Sequence, residues 1–221
     1  MDSTRPPSIS PAGASPRSLR PWYLVAAMVM TWFIGVQSMN AGCDTVRQVR
    51  NGAVIEVAAA TEAARKEDPR QLILTVHDAA RAKAAIEMRQ VTFPLGVAKL
   101  LLAGLLVIAS GLAMAGRPGA RSLALQALVA NVALSVVAYA LTRDMRAQWI
   151  DAVARAGAAL PQVEETEARL LDPHVLWWFE RTRLVVLDIG AMLLAAIALT
   201  SRRSASFFAA VAAAGDTSEE R

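Results

Sequence analysis

Apolar residues follow two rhythms along this chain. Four stretches are apolar almost throughout: Trp22 to Asn40, Phe93 to Ala115, Ser122 to Thr142, and Leu184 to Ser201. Between them, apolar residues return every third or fourth position among charged ones. An unbroken run of about 20 residues is the length of a helix that crosses a bilayer. A three-to-four step is one face of an amphipathic helix. No charge occurs from Pro21 to Cys43 or within 122–142, and the second and fourth stretches hold one each, Lys99 and Asp188. The pattern predicts an all-α chain, a polytopic four-helix transmembrane bundle with helical-hairpin extracytoplasmic extensions. Its predicted order is a basic, proline-containing cytoplasmic tail (1–21), a first span (22–40), an extracytoplasmic helical hairpin (41–92) and a second span (93–115). A cytoplasmic turn (116–121), a third span (122–142), an extracytoplasmic helical segment (143–183), a fourth span (184–201) and a cytoplasmic tail (202–221) complete it.

The connecting segments read as helices. Val46, Val49, Ala53, Val57, Ala60 and Ala64 make one apolar face, and Asp68-Pro69 is a turn signal. Leu72, Val76, Ala79, Ala80 and Ile86 make a second face, interrupted by Lys83. These two arms predict an antiparallel hairpin continuous with spans one and two, with Pro94 kinking the second arm at the bilayer. Met145, Trp149, Ile150 and Val153 extend span three as an amphipathic helix that Gly157 and Pro161 end. A short acidic helix follows over 163–171, with Glu164, Glu165 and Glu167 where a helix dipole favours negative charge. Asp172-Pro173 then suits an N-cap and first helical position. Trp177, Trp178 and Phe179 at one end, and Trp22 and Tyr23 at the other, match interfacial aromatic belts.

Composition supports the division into spans and connections. Hydrophobic residues are 55% of 221, too many for a typical soluble domain, while 19% are charged and sit between the spans. The short flanks at 1–21, 116–121 and 202–203 are basic, which places them and both termini in the cytoplasm. The net charge of +4 is spread among acids, so nucleic acid is not an expected partner. Arginine outnumbers lysine 20 to 3, the coding bias of a GC-rich bacterium. The expected location is therefore a bacterial inner membrane, crossed several times.

The chemistry-bearing residues exclude more than they assign. A single cysteine allows no internal disulfide, cysteine metal site or dithiol centre. Both histidines, His77 and His174, lie outside the spans, which removes bis-histidine haem ligation. There is no HExxH motif, phosphate loop or nucleophile–base set. No catalytic residue, cofactor or metal is assigned, and a non-enzymatic role is expected. His77 reads as a solvated helix residue, with metal binding or pH sensing as alternatives.

Ionisable groups inside a span invite a functional reading. Lys99 and Asp188 lie at similar depth. Each sits on a stripe of small residues: Gly96, Ala103, Ser110 and Ala113 beside Lys99, and Ala191, Ala195 and Ala198 beside Asp188. Small stripes face neighbouring helices. Spans two and four are expected to pack together, with Lys99 paired to Asp188. The alternatives are a snorkelling Lys99 with Asp188 bonded to Arg183 or water, and a proton or ion pathway. Asn131 and Ser135 share a face of span three with Ala124 and Ala127 and are expected to make interhelical hydrogen bonds. Arg17 and Arg20, an apolar run, then Asn40-Ala41-Gly42-Cys43 resembles a bacterial lipoprotein signal, which implies cleavage and lipidation at Cys43. The sequence departs from that pattern at Asn40 and in the length of the apolar run. The other reading keeps span one, with a free Cys43 at the outer interface.

The functional expectation is a sensory, accessory or partner-binding subunit acting through its external helices, alongside the lipid bilayer and a protein partner or further copies of itself. A small transporter or channel subunit using Lys99, Asp188 and Asn131 is the alternative.

Overall fold

The computed structural model describes residues 21–51, 69–117, 119–158 and 169–219. Among them the chain is helical, with no strand. The helices are α1 (Trp22–Asn51), α2 (Pro69–Glu87), α3 (Arg89–Ala115), α4 (Ala120–Leu141), α5 (Arg143–Ala158), α6 (Pro173–Arg183), α7 (Ala191–Thr200) and α8 (Arg202–Glu219). A 3₁₀ turn covers Arg169–Leu171, and a π-helical stretch, Leu184–Gly190, joins α6 to α7 as one rod. Four rods are long and apolar enough to cross a membrane: α1, α3, α4 and Pro173–Thr200. They are compatible with a multi-pass integral membrane protein. The first arm of the expected hairpin is described only to Asn51; the rest of it, and the acidic segment 163–168, lie outside the described residues.

The rods stand in a square. The α1 rod packs on α3 and α7, and α4 packs on the same two, so α3 and α7 are diagonal. The expected packing of spans two and four is therefore corrected. The small stripe of α3 does face a helix, but that helix is α1. Gly35 and Gly42 are buried on α1. A Cβ on Gly42 would lie 3.0 Å from the Leu100 nitrogen and 3.1 Å from the Gly96 carbonyl oxygen. One on Gly35 would lie 2.8 Å from Val107 Cγ2. Backbone contact of this closeness is what small residues permit between helices in a membrane.

At one end, termed the tail end, α3 turns into α4 and α8 folds back. Gly116 takes the left-handed conformation at φ 68°, and its neighbour Arg117 donates its N–H to the Leu112 carbonyl at 3.1 Å. This is the Schellman closure that glycine favours. The helix of span four stops at Ser201, whose ψ of 148° redirects the chain. Ser201 accepts from the Ser204 N–H at 3.3 Å and meets the Tyr23 hydroxyl at 2.9 Å. Phe207 and Phe208 of α8 are thereby buried against the rods. Leu24, Met28, Leu106, Ala109, Ala127, Leu128 and Leu199 complete an apolar core there.

The other end, termed the crown, carries α2 and α5. The helix of the second arm breaks at Met88, where φ is −101° and ψ 31°, and Pro94 lies inside the helix that follows. Thr92 closes that break by donating its hydroxyl to the Ala85 carbonyl at 2.7 Å. Relief six residues upstream lets Pro94 sit inside α3 near its start. From the break, α2 leans onto α5. Leu72, Ile73, Val76, Ala80 and Ala84 meet Trp149, Ile150, Val153, Leu171 and Leu176 in a second apolar core. Asp172 caps α6, accepting the His174 N–H at 2.8 Å with Pro173 behind it.

Candidate functional site

Between the two cores the square of rods lines a partly open cavity of about 230 Å³. Its walls come from all four rods, and its roof comes from the crown. Ser38, Ala41 and Thr45 of α1 and Lys99 of α3 line one side. Asn131, Ser135, Tyr139 and Thr142 line another, facing Arg183, Asp188 and Met192. Arg81, Arg146, Trp149 and Glu180 line the crown end. The cavity thus gathers Lys99, Asn131, Ser135 and Asp188, the intramembrane polar residues singled out by the sequence.

The arrangement differs from a simple ion pair. Among the described residues no carboxylate lies within 4.0 Å of Lys99, so the expected direct Lys99–Asp188 contact is not made. The reason is the diagonal placement of their helices: the two charges face each other across the cavity. Nor does Asp188 bridge to Arg183, which instead lies 4.0 Å from Glu180. Asn131 donates to the Leu102 carbonyl of α3 and to its own Ala127 carbonyl, both at 2.9 Å. Cys43 is exposed on α1, which continues through it to Asn51.

Sequence reading overlooked three members of the site. Arg146 is 5% exposed and held by its own helix junction. Its guanidinium donates to the Tyr139 carbonyl and, at 2.8 Å, to the Thr142 hydroxyl, which donates in turn to the Ala138 carbonyl at 2.6 Å. The guanidinium carbon lies 3.6 Å from the Tyr139 ring centre. Burial pulls the Arg146 pKa below the usual arginine value, and Tyr139 and Glu180 act against that pull. This side chain caps the last carbonyls of α4 where a cation suits the helix dipole. Glu180, mostly buried, accepts from Arg81 at 2.8 Å, and Arg81 lies over the Trp149 ring at 5.0 Å. His77 leans on the other part of that interface, 5.7 Å from the Trp149 ring. Among the described residues no cluster of metal-ligating side chains occurs.

The π-helical stretch is also part of the site. Ala191 donates its N–H to the Val186 carbonyl, five residues back, and a Cβ on Gly190 would meet the Val185 oxygen at 3.1 Å. Gly190 therefore admits the wider turn, and Asp188 sits within it. Such turns recur at functional sites. Nothing in the apolar pattern of 184–201 announces it.

Chemically, the cavity presents four cationic side chains, Arg81, Lys99, Arg146 and Arg183, against two carboxylates, Glu180 and Asp188. It can bind polar or anionic groups without supplying a nucleophile–base pair. Toward the tail end it meets the apolar core around Leu106, Ala127, Leu128 and Met192. Comparison with protein-family models finds no match, and neither curated proteins nor solved structures match the chain.

Proposed function

We propose that the chain is a bacterial inner-membrane protein with both termini cytoplasmic, acting without catalysis as a sensory or accessory subunit. Its extracytoplasmic crown takes the partner, another protein or a further copy of the chain. The observation that carries this reading is the polar cavity beneath the crown. The crown core roofs a polar space that enters the bundle and stops against a packed apolar core. A polar space that ends on a packed apolar core suits recognition more than passage. A crown joined to the spans through Arg146 and Glu180 suits transmission of a binding event. Nucleic acid has no role in it.

Gathering Lys99, Asn131 and Asp188 around one cavity favours the transporter reading as the second choice. Two measurements on the full chain separate them. A photo-cross-linker replacing Leu74, which is 62% exposed on α2, is expected to give one discrete protein adduct in native membranes. One replacing Ile108, 60% exposed on a spanning helix, is expected to give none. Liposomes holding the chain alone are expected to pass no protons or ions. Flux that disappears in Lys99→Gln and Asp188→Asn would overturn the sensory reading in favour of transport.

A further inference from the structure

A second pocket, sharing Tyr139 and Arg146 with the cavity between the rods, opens where span three ends and span four begins. It measures about 700 Å³ and is lined by Tyr139, Arg143, Arg146, His174, Trp177, Trp178 and Arg181, with Ala140. We propose that this pocket binds the phosphate group of an anionic lipid headgroup. The proposal rests on the chain spanning a bilayer and is independent of what the crown binds.

Four observations converge on it. The first is charge. Three guanidinium groups line the pocket and no carboxylate does. Among the described residues neither Arg143 nor Arg181 has an acid within 4.0 Å. The second is geometry. Arg143 opens α5 directly after the Thr142 junction, and Arg181 lies within α6 as it descends into the apolar rod. Both are exposed. Two forked guanidinium groups at one opening match the oxygens of a phosphate better than those of a neutral group. Arg146 stands behind them, buried, with its two terminal nitrogens engaged by Thr142 and Tyr139, so it adds field more than contact.

The third is the aromatic lining. Trp178 is 66% exposed and Trp177 half-buried, beside the Tyr139 ring. Amphipathic rings belong at headgroup depth, where one edge meets acyl chain and the other meets water. The fourth is position. The pocket faces outward at the end of two apolar rods, whose neighbouring surface exposes Val136, Val137, Leu141 and Val185. A soluble anion would find no use for that apolar rim; a diacyl lipid would lay its chains along it. Basic pockets between spanning helices on the cytoplasmic side bind anionic headgroups, and the same charge chemistry would act at the crown end.

The test uses the full chain, delipidated in mild detergent, with bound lipid counted by native mass spectrometry. Phosphatidylglycerol should be retained about thirtyfold more strongly than phosphatidylcholine, the effect of two uncompensated arginines near a surface. Arg143→Gln with Arg181→Gln should remove most of that preference. Arg155→Gln, an exposed arginine outside the pocket, should leave it intact. Equal retention of the two lipids, or a preference unchanged in the double variant, would overturn the proposal. So would an equal loss in Arg155→Gln, which would mark general surface charge. Glycerol phosphate added in solution distinguishes the source. If it displaces the lipid at matched concentration, the site takes a free phosphate and the lipid assignment fails. If it does not, the acyl chains contribute and the assignment stands. Native-like thermal unfolding of the double variant shows that lost retention is not lost fold.

Discussion

The tail half and the crown half of the bundle are made from the same four rods, yet one is filled and the other is hollow. In the tail half the inward positions are Ala109, Ala113, Ala120, Ala124, Ala127 and Ala195, with Leu24, Leu106, Leu128 and Leu199 between them. Alanine brings rods close and leucine packs between them, making an apolar core. In the crown half the inward positions include Lys99, Asn131, Tyr139, Arg183 and Asp188. These side chains are long or polar, and no layer of neighbours can close around them without stranding a charge. Grouping them at the end nearest the polar roof limits what their presence in a span costs. The contrast teaches that a span's average hydropathy conceals where along its length it is dry.

Each half of the comparison can be broken experimentally. The largest effect is chemical accessibility. In a Cys43→Ser background, Lys99→Cys and Asp188→Cys should react to completion with a membrane-impermeant thiol reagent applied on the crown side. Ala109→Cys and Leu128→Cys should stay unlabelled, and labelling at all four sites would end the distinction. Next comes packing. Phe207→Ala empties the tail core and should cost about 3 kcal/mol in reversible unfolding, whereas Phe33→Ala, at a position 56% exposed, should cost little. Gly42→Leu forces α1 from α3 and should cost about 2 kcal/mol. Gly104→Leu, with open space at its Cβ, supplies the control.

Smaller effects belong to the roof. Arg146→Gln strips the Tyr139 carbonyl of its charged cap and should cost about 1.5 kcal/mol. That loss should appear with faster hydrogen exchange at the α4–α5 junction and no change at the tail end. Arg81→Gln removes a half-exposed pair with Glu180, worth about 0.5 kcal/mol or less and falling with added salt. A larger effect from Arg81 than from Arg146 would show that the roof, and not the junction, holds the crown.

The four spans were legible because about 20 apolar residues in a row have few other uses. Asp172-Pro173 announced its own N-cap, and Trp149, Ile150 and Val153 announced the buried face of α5. The inward residues of the site were legible too, since charge inside a span stands out. Their neighbours were not. A stripe such as Gly96 and Ala103 says that a helix lies opposite but not which one. The answer sat in Gly35 and Gly42, whose meaning depends on the partner backbone. Arg146 and Glu180 were hidden among ordinary charges of the connecting segments, because burial there comes from the way α5 and α6 lean together. Likewise α8 read only as a cytoplasmic tail. Its docking depends on the turn at Ser201 and on a vacant notch beside Gly116, 3.1 Å from the Phe207 ring once a Cβ is imagined there.

The wide turn at Leu184–Gly190 stores one residue more than an α-helix of the same rise requires. Drawing that turn into α geometry pushes the surplus along the rod, and α7 then advances by about 1.5 Å and rotates by about 100° relative to α6. A π-to-α change there couples displacement along the rod to rotation of α7, like one spare tooth on a gear. Deleting a single residue from the stretch removes the surplus and should hold α7 at its present register, so that α6 and α7 form one regular α-helix without the advance or the rotation.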